Sequence, residues 1–301
     1  MISDETTALE TVRDLVRWGA SEFARHGLIF GHGTDNALDE SFHLVLHALK
    51  LQADLPTLYL ESRVTASERA SVVELLRKRV DTRQPAAYLI GEIQFCGLPF
   101  YVDERVLVPR SPIAELIEAQ FEPWVTQTPT RILDLCTGSG CIGIACAAAI
   151  EDAEVDLVDI DAGALEVAQR NIDRHGLGDR VKAIRSDLFA GLGKRQYELI
   201  VSNPPYVPTA EWQALGREFH QEPKLALEAG GDGMDIVDRI LREAPKYLSA
   251  KGLLICEVGG SVPEFEARWP DIPVNWPDFE RGGDGVFAIS KADLVAWLKG
   301  R

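Results

Sequence analysis

The alternation of apolar and polar positions divides the chain near residue 90. Before it, apolar residues recur at helical spacing. Leu9, Val12, Val16 and Phe23 repeat through a predicted helix over 6–25, with charges between them. Gly27, Gly31 and Gly33 break that pattern. Residues 39–51 resume it, and 67–80 predict a third helix with Ser67 as its N-cap. Residues 93–95 and 98–102, divided by Cys96-Gly97, predict a short hairpin. Pro112 opens a predicted helix to residue 121, and 122–130, with Pro123 and Pro129, reads as a link into a second domain.

From Arg131 onward the period changes to strands alternating with helices, the signature of a parallel α/β sheet. Strands are predicted at 132–136, 154–158, 181–185, 197–201 and 253–258, with helices at 142–150, 162–175 and 234–248. Residues 274–279 and 286–290 read as a terminal hairpin around glycines 282, 283 and 285. The expected division is a helical domain over 1–92, the hairpin and a connecting helix over 93–122, and an α/β domain over 123–301.

Composition fits this picture. A chain of 301 residues exceeds the usual size of one domain, and 46% hydrophobic with 26% charged residues is ordinary for a soluble globular protein. No apolar run reaches membrane-spanning length, and the opening MISDETTALE is acidic, unlike a signal peptide. Five cysteines, an odd number, fit a reducing compartment, so a cytoplasmic location is expected. Cys136, Cys141 and Cys146 are five apart, which is no zinc spacing; they read as small core residues, and no metal is expected.

A formal charge of −16 disfavours nucleic acid, whose phosphates are held by Lys and Arg, and suits a basic protein partner. Solubility alone also explains an acidic surface. The short run Arg77-Lys78-Arg79 on the third helix reads as a solvated face, not as a phosphate stripe. His43 and His47 share a helix face, but Leu44 stands where a metalloprotease helix needs Glu.

Two stretches carry candidate chemistry. In the first, Gly138, Gly140 and Gly143 satisfy the dinucleotide pattern G-x-G-x-x-G, and Asp159 stands 19 residues after Gly140, where a carboxylate would grip a ribose. A nicotinamide enzyme is therefore a rival on this half alone. Asp134, inside the strand, is placed to hold the glycine turn or the ammonium group of a cofactor. The second stretch is Asn203-Pro204-Pro205-Tyr206 at a strand end. Two prolines remove N–H donors, and Pro204 forces Asn203 into extended backbone. Such a rigid loop suits a planar –NH2 group. The Asn oxygen and a proline carbonyl would each accept one N–H while Tyr206 stacks on the plane. Hydride transfer has no evident use for it.

Asp134-Leu-Cys-Thr-Gly-Ser-Gly140, Asp159, Ser186-Asp187-Leu188-Phe189 and Asn203-Pro-Pro-Tyr206 together resemble the class I S-adenosylmethionine methyltransferases that modify protein glutamine. The resemblance spans essentially the whole chain. Residues 30–36 (FGHGTDN), 108–113 (VPRSPI) and 279–287 (FERGGDGVF) are similar to the branch that acts on the third protein of the large ribosomal subunit. The release-factor branch has a Pro-Arg-Pro-acidic run where this chain has Pro109-Arg110-Ser111-Pro112.

The resemblance implies a Rossmann-like sheet of seven strands, the last antiparallel, behind a helical domain that selects the substrate. It implies S-adenosylmethionine as cofactor, with Asp134, Thr137, Gly138, Gly140, Asp159, Asp187, Leu188 and Asn203 around it, and catalysis by Asn203, Pro204, Pro205 and Tyr206. Leu188 stands where some relatives carry Trp beside the adenine. Arg110 is a candidate for lining the active site, or a surface charge. The same chemistry on a release factor, adenine methylation of DNA, and a non-catalytic ribosome-assembly role are the alternatives. Neither direct DNA binding nor membrane contact is expected.

Overall fold

The first helices begin where a side chain can take an orphan backbone N–H. The computed structural model describes residues 4–52, 56–125 and 127–301. After a 3-10 turn at Asp4–Ala8, α1 (Val12–Arg25) starts at Thr11, which forms a capping box with Asp14. Asn36 caps α2 (Ala37–Leu49) through Asp39 N. Thr65 and Glu68 form a second capping box for α3 (Ala66–Thr82). The predicted cap Ser67 thus lies inside the helix, because the reciprocal pair with Glu68 needs its partner three residues upstream. A short helix α4 (Ala86–Ile90) follows. Leu15, Phe23, Leu44, Val45, Val72 and Leu76 form the core of this part.

Two charges lie inside that core. Arg79 is fully buried and donates to Glu40, itself fully buried, at 2.7 Å. The expectation of a solvated basic face is therefore wrong at Arg79, which is buried in the helical core, while Arg77 is half-buried and Lys78 exposed. Thr34 also donates to Glu40, so the polar 31–40 stretch has a structural role. It caps α2 through Asn36 and brings Glu40 to the buried arginine.

The chain divides into two units. The first runs to Ile93 and also takes in Gly216–Gln221. Within it, Glu218 is almost fully buried, accepts from Ile29 N and Arg83, and lies 4.0 Å from Arg79. The second unit comprises Gln94–Leu215 and Glu222–Arg301. Strands β1 (Glu92–Phe95) and β2 (Leu98–Tyr101) pair as a two-stranded sheet, followed by α5 (Ile113–Glu118).

The second unit is built on one sheet. Its strands are β3 (Arg131–Leu135), β4 (Glu154–Asp159), β5 (Val181–Arg185), β6 (Tyr197–Ser202), β7 (Leu248–Glu257) and β8 (Val286–Ser290). Helices α6 (Cys141–Ala149), α7 (Ala162–Arg174), α8 (Thr209–Ala214), α9 (Asp235–Tyr247), α10 (Val262–Arg268) and α11 (Lys291–Lys299) connect or follow them. The order is β5-β4-β3-β6-β7-β8, parallel except for β8. Central strands are buried on both faces, which is why they read as unbroken apolar runs. Helix α9 buries Val237, Ile240, Leu241 and Ala244, a single stripe at i, i+3, i+4 and i+7.

The expected seventh strand is reduced to a bridge, Asn275 against Ala288. Pro273 and Pro277 flank it and can donate nothing to a ladder. Trp276 packs instead against Phe265 and Phe287. Among the described residues, no helix is long and apolar enough to cross a membrane.

Candidate active site

Strand order reverses direction between β3 and β6, and the chain leaves both strands at the same edge of the sheet. The register pairs Leu135 with Ser202, and the Ser202 hydroxyl donates to Leu135 O at 2.9 Å. The glycine turn and the Asn203 loop therefore emerge side by side at the switch point, where α/β sheets bind ligands. A cleft of about 410 Å³ opens there.

The turn after β3 is held from below. Asp134 is fully buried, and one carboxylate oxygen accepts from the Thr137 hydroxyl at 2.5 Å and from Gly143 N at 2.9 Å. Burial pushes this carboxyl up to about 7, against the pull of those two donors. Gly143 packs so tightly that a Cβ would fall 2.2 Å from Leu157, which explains the third glycine of the pattern by packing alone. Asn171 on α7 is a second support that sequence reasoning missed. Its amide donates to Ser139 O and Tyr101 O and accepts from Tyr101 N. A polar residue on the buried stripe of an amphipathic helix was the available signal.

Asp159, at the end of β4, lines the cleft. Its two oxygens accept from Gly138 N at 2.9 Å and Asp161 N at 3.0 Å, while Asp161 itself caps α7. Burial raises the Asp159 carboxyl, partly offset by the N–H donors at Asp161 and Gly138. Thr137, Gly138, Asp187, Leu188, Asn203 and Pro205 also line the cleft. Asp134, Gly140, Pro204 and Tyr206 are not among the lining residues. Cys136 (φ 57°) and Leu188 (φ 49°) are both in the left-handed region although neither is glycine. Strained backbone of this kind concentrates where a loop must present groups to a ligand.

Arg110 lines the cleft and also donates to both oxygens of Glu222. Tyr206 is not among the residues lining the cleft, and its hydroxyl donates to Glu257 at 3.0 Å. Asp187 pairs with Arg239 at 2.9 Å. Among the described residues, no group of three or more His, Cys, Asp or Glu side chains is placed to hold a metal ion.

Residues 121–251 match the family described as Methyltransferase small domain. The chain is 51% identical over 290 residues to the ribosomal protein uL3 glutamine methyltransferase of Xanthomonas campestris, covering 96% of this chain and 94% of that protein. It is 46% identical over 291 residues to the protein of the same name from Francisella tularensis, covering 96% and 93%. The chain belongs to the uL3 glutamine methyltransferase family. The solved hMettl16 catalytic domain, in complex with MAT2A 3′UTR hairpin 6, matches at a TM-score of 0.50 and 16% identity, over 75% of this chain and 81% of that one, a likeness of fold.

The methyl donor of such an enzyme is S-adenosylmethionine, and the residues fit it. The second Asp134 oxygen is buried with no hydrogen-bond partner among the described residues. At Gly138 (φ 54°) an added Cβ would meet nothing within 4 Å, so open space adjoins that backbone. Ile160 and Leu188 supply apolar surface on the lining.

Proposed function

We propose that this protein transfers a methyl group to the side-chain amide nitrogen of a glutamine in ribosomal protein uL3. The observation that carries the proposal is that Asn203 and Pro205 share one cleft with Gly138 and Asp159. An –NH2 acceptor and a methyl donor held at these two places would meet.

Asp159 would bind the ribose hydroxyls of S-adenosylmethionine, and the Gly138 turn would run beside its methionine end. Leu188 and Asp187 would flank the adenine. When bound, the cofactor supplies an electrophilic sulfonium methyl. An amide nitrogen is a poor nucleophile because its lone pair is delocalised. The Asn203 oxygen and the Pro204 carbonyl, each accepting one N–H, would fix the amide plane and the line of approach. The nitrogen gains a carbon and releases one proton. Rate enhancement then comes mainly from positioning and fixed dipoles. Pro205 keeps the loop stiff, and Arg110 lines the same space.

The helical unit selects the protein substrate in this reading. The charge of −16 supports a basic ribosomal protein rather than DNA as partner. Five free cysteines support a cytoplasmic setting.

An intact-mass measurement tests the proposal: purified uL3, a release factor and an adenine-containing duplex are each incubated with the enzyme and S-adenosylmethionine. One methyl gained by uL3 and mapped to a glutamine is expected. A gain only on the release factor or only on DNA would overturn the substrate assignment.

A further inference from the structure

A third acidic group at a strand end, besides Asp134 and Asp159, is buried behind the Asn203 loop. Glu257 closes β7, next to the Cys256 that pairs with Ser202. One of its oxygens accepts from the Tyr206 hydroxyl at 3.0 Å, the other from the Ser111 hydroxyl at 2.5 Å. These two hydroxyls come from the two proline-bearing segments at the cleft. Tyr206 ends the run containing Asn203 and Pro205, and Ser111 follows Pro109 and Arg110; all but Tyr206 line the cleft.

Tyr206 is clamped on three sides. Its ring lies on Gly259, where an added Cβ would come within 2.6 Å of Cζ. Its carbonyl accepts from Ser261 at 2.8 Å. Glu257 takes its hydroxyl. Tyr206 thus anchors the loop. Ser111 in turn accepts from Ile113 N, so its hydroxyl proton is free only to point at Glu257.

We propose that Glu257 is a positioning residue for methyl transfer: one carboxylate ties both proline-bearing segments together and so sets where Asn203 presents its amide. The inference rests on the reading of the Asn203 loop as the amide site. A carboxylate is the one side chain that accepts on both arms. Glutamine would turn an –NH2 toward one hydroxyl and force it to re-orient. An aliphatic residue would leave two buried hydroxyls unpaired, at a cost. Burial pushes the Glu257 carboxyl up to about 7 despite both hydroxyls and the charge of Arg110.

The test uses the full chain, with uL3 methylation followed by mass and S-adenosylmethionine affinity measured separately by calorimetry. Glu257→Gln and Tyr206→Phe are each expected to lower kcat by on the order of tenfold to a hundredfold, with cofactor affinity unchanged. The double variant should lose no more than either single one, since both cut the same tie. Tyr206→Phe carries the test if Glu257→Gln fails to fold. Wild-type turnover in these variants, with Asn203→Ala inactive, would overturn the inference alone. Cofactor affinity falling in step with rate, or additive losses, would also overturn it. Wild-type turnover in Asn203→Ala would remove the amide-site reading, and the inference with it.

Discussion

Arg110 and Glu222 lie 112 positions apart, yet the guanidinium donates to both carboxylate oxygens, at 2.6 and 2.8 Å. Glu222 also accepts from Val108 N at 2.9 Å, and its side chain is fully buried. The pair fastens the segment carrying Pro223, Leu225 and Ala226 to the segment carrying Pro109, two walls of the same cleft. Glu222→Ala should therefore destabilise the protein by about 3 kcal/mol, the low end for breaking a buried pair, because Arg110 keeps some solvent. Urea unfolding measures this. A variant as stable as the parent would show that the pair contributes nothing.

Asn203→Ala and Asp159→Ala should separate rate from binding. The first is expected to remove most turnover with cofactor affinity largely intact, the second to weaken cofactor binding first. Calorimetry with S-adenosylmethionine beside steady-state kinetics distinguishes them. Equal losses of affinity and rate in Asn203→Ala would contradict its assignment to the amide.

Gly143→Ala probes why the third glycine is there. A Cβ 2.2 Å from Leu157 and 3.0 Å from Asp134 forces the α6–β4 contact apart. Overpacking of this kind costs roughly 1–3 kcal/mol. The expected outcome is a lower thermal midpoint. Unchanged stability with selectively weakened cofactor binding would instead mean that this glycine approaches the ligand.

Removing the buried guanidinium of Arg79 leaves Glu40 as an unpaired charge and deprives Glu218 of a neighbour. Arg79→Ala should cost about 3–5 kcal/mol. Chemical denaturation measures it. Arg79→Ala matching Arg77→Ala would show the cluster to be dispensable.

The buried Asp134 predicts a pH effect with a definite sign. Its carboxyl is raised to about 7, so the folded state binds a proton more readily than the unfolded chain. Between its ordinary range and about 7 this group's contribution to stability falls as pH rises. Asp134→Asn, which cannot ionise, should therefore gain stability relative to the parent between pH 5 and pH 8. Thermal midpoints at several pH values check this, and a constant difference would refute it.

Local chemistry made several elements legible without the fold. The strand before Asn203 shows as an apolar run cut by two prolines, and Asp161 shows as a cap by its place before Ala162. The amphipathic stripe of α9 is visible from its 3.6-residue period. The seventh strand was misread because apolar alternation over 274–279 does not register that Pro273 and Pro277 block a ladder on either side. The cap falls at Thr65 and not at Ser67, two residues further along, because only Thr65 has Glu68 three residues after it.

The sequence by itself determined the α/β alternation, the glycine turn and the stiff Asn203 loop, since each depends on residues within a few positions of one another. Tertiary structure alone decided which groups face the cleft and which support it. Tyr206 shows in sequence only as a ring at the end of the loop, and the carboxylate that takes its hydroxyl lies 51 positions away. Arg79 looks solvated, but Glu40, 39 positions away, holds it in the core. Such pairings are set by strand order and helix packing, and a buried charge or hydroxyl settles on whichever partner the fold brings within hydrogen-bond reach.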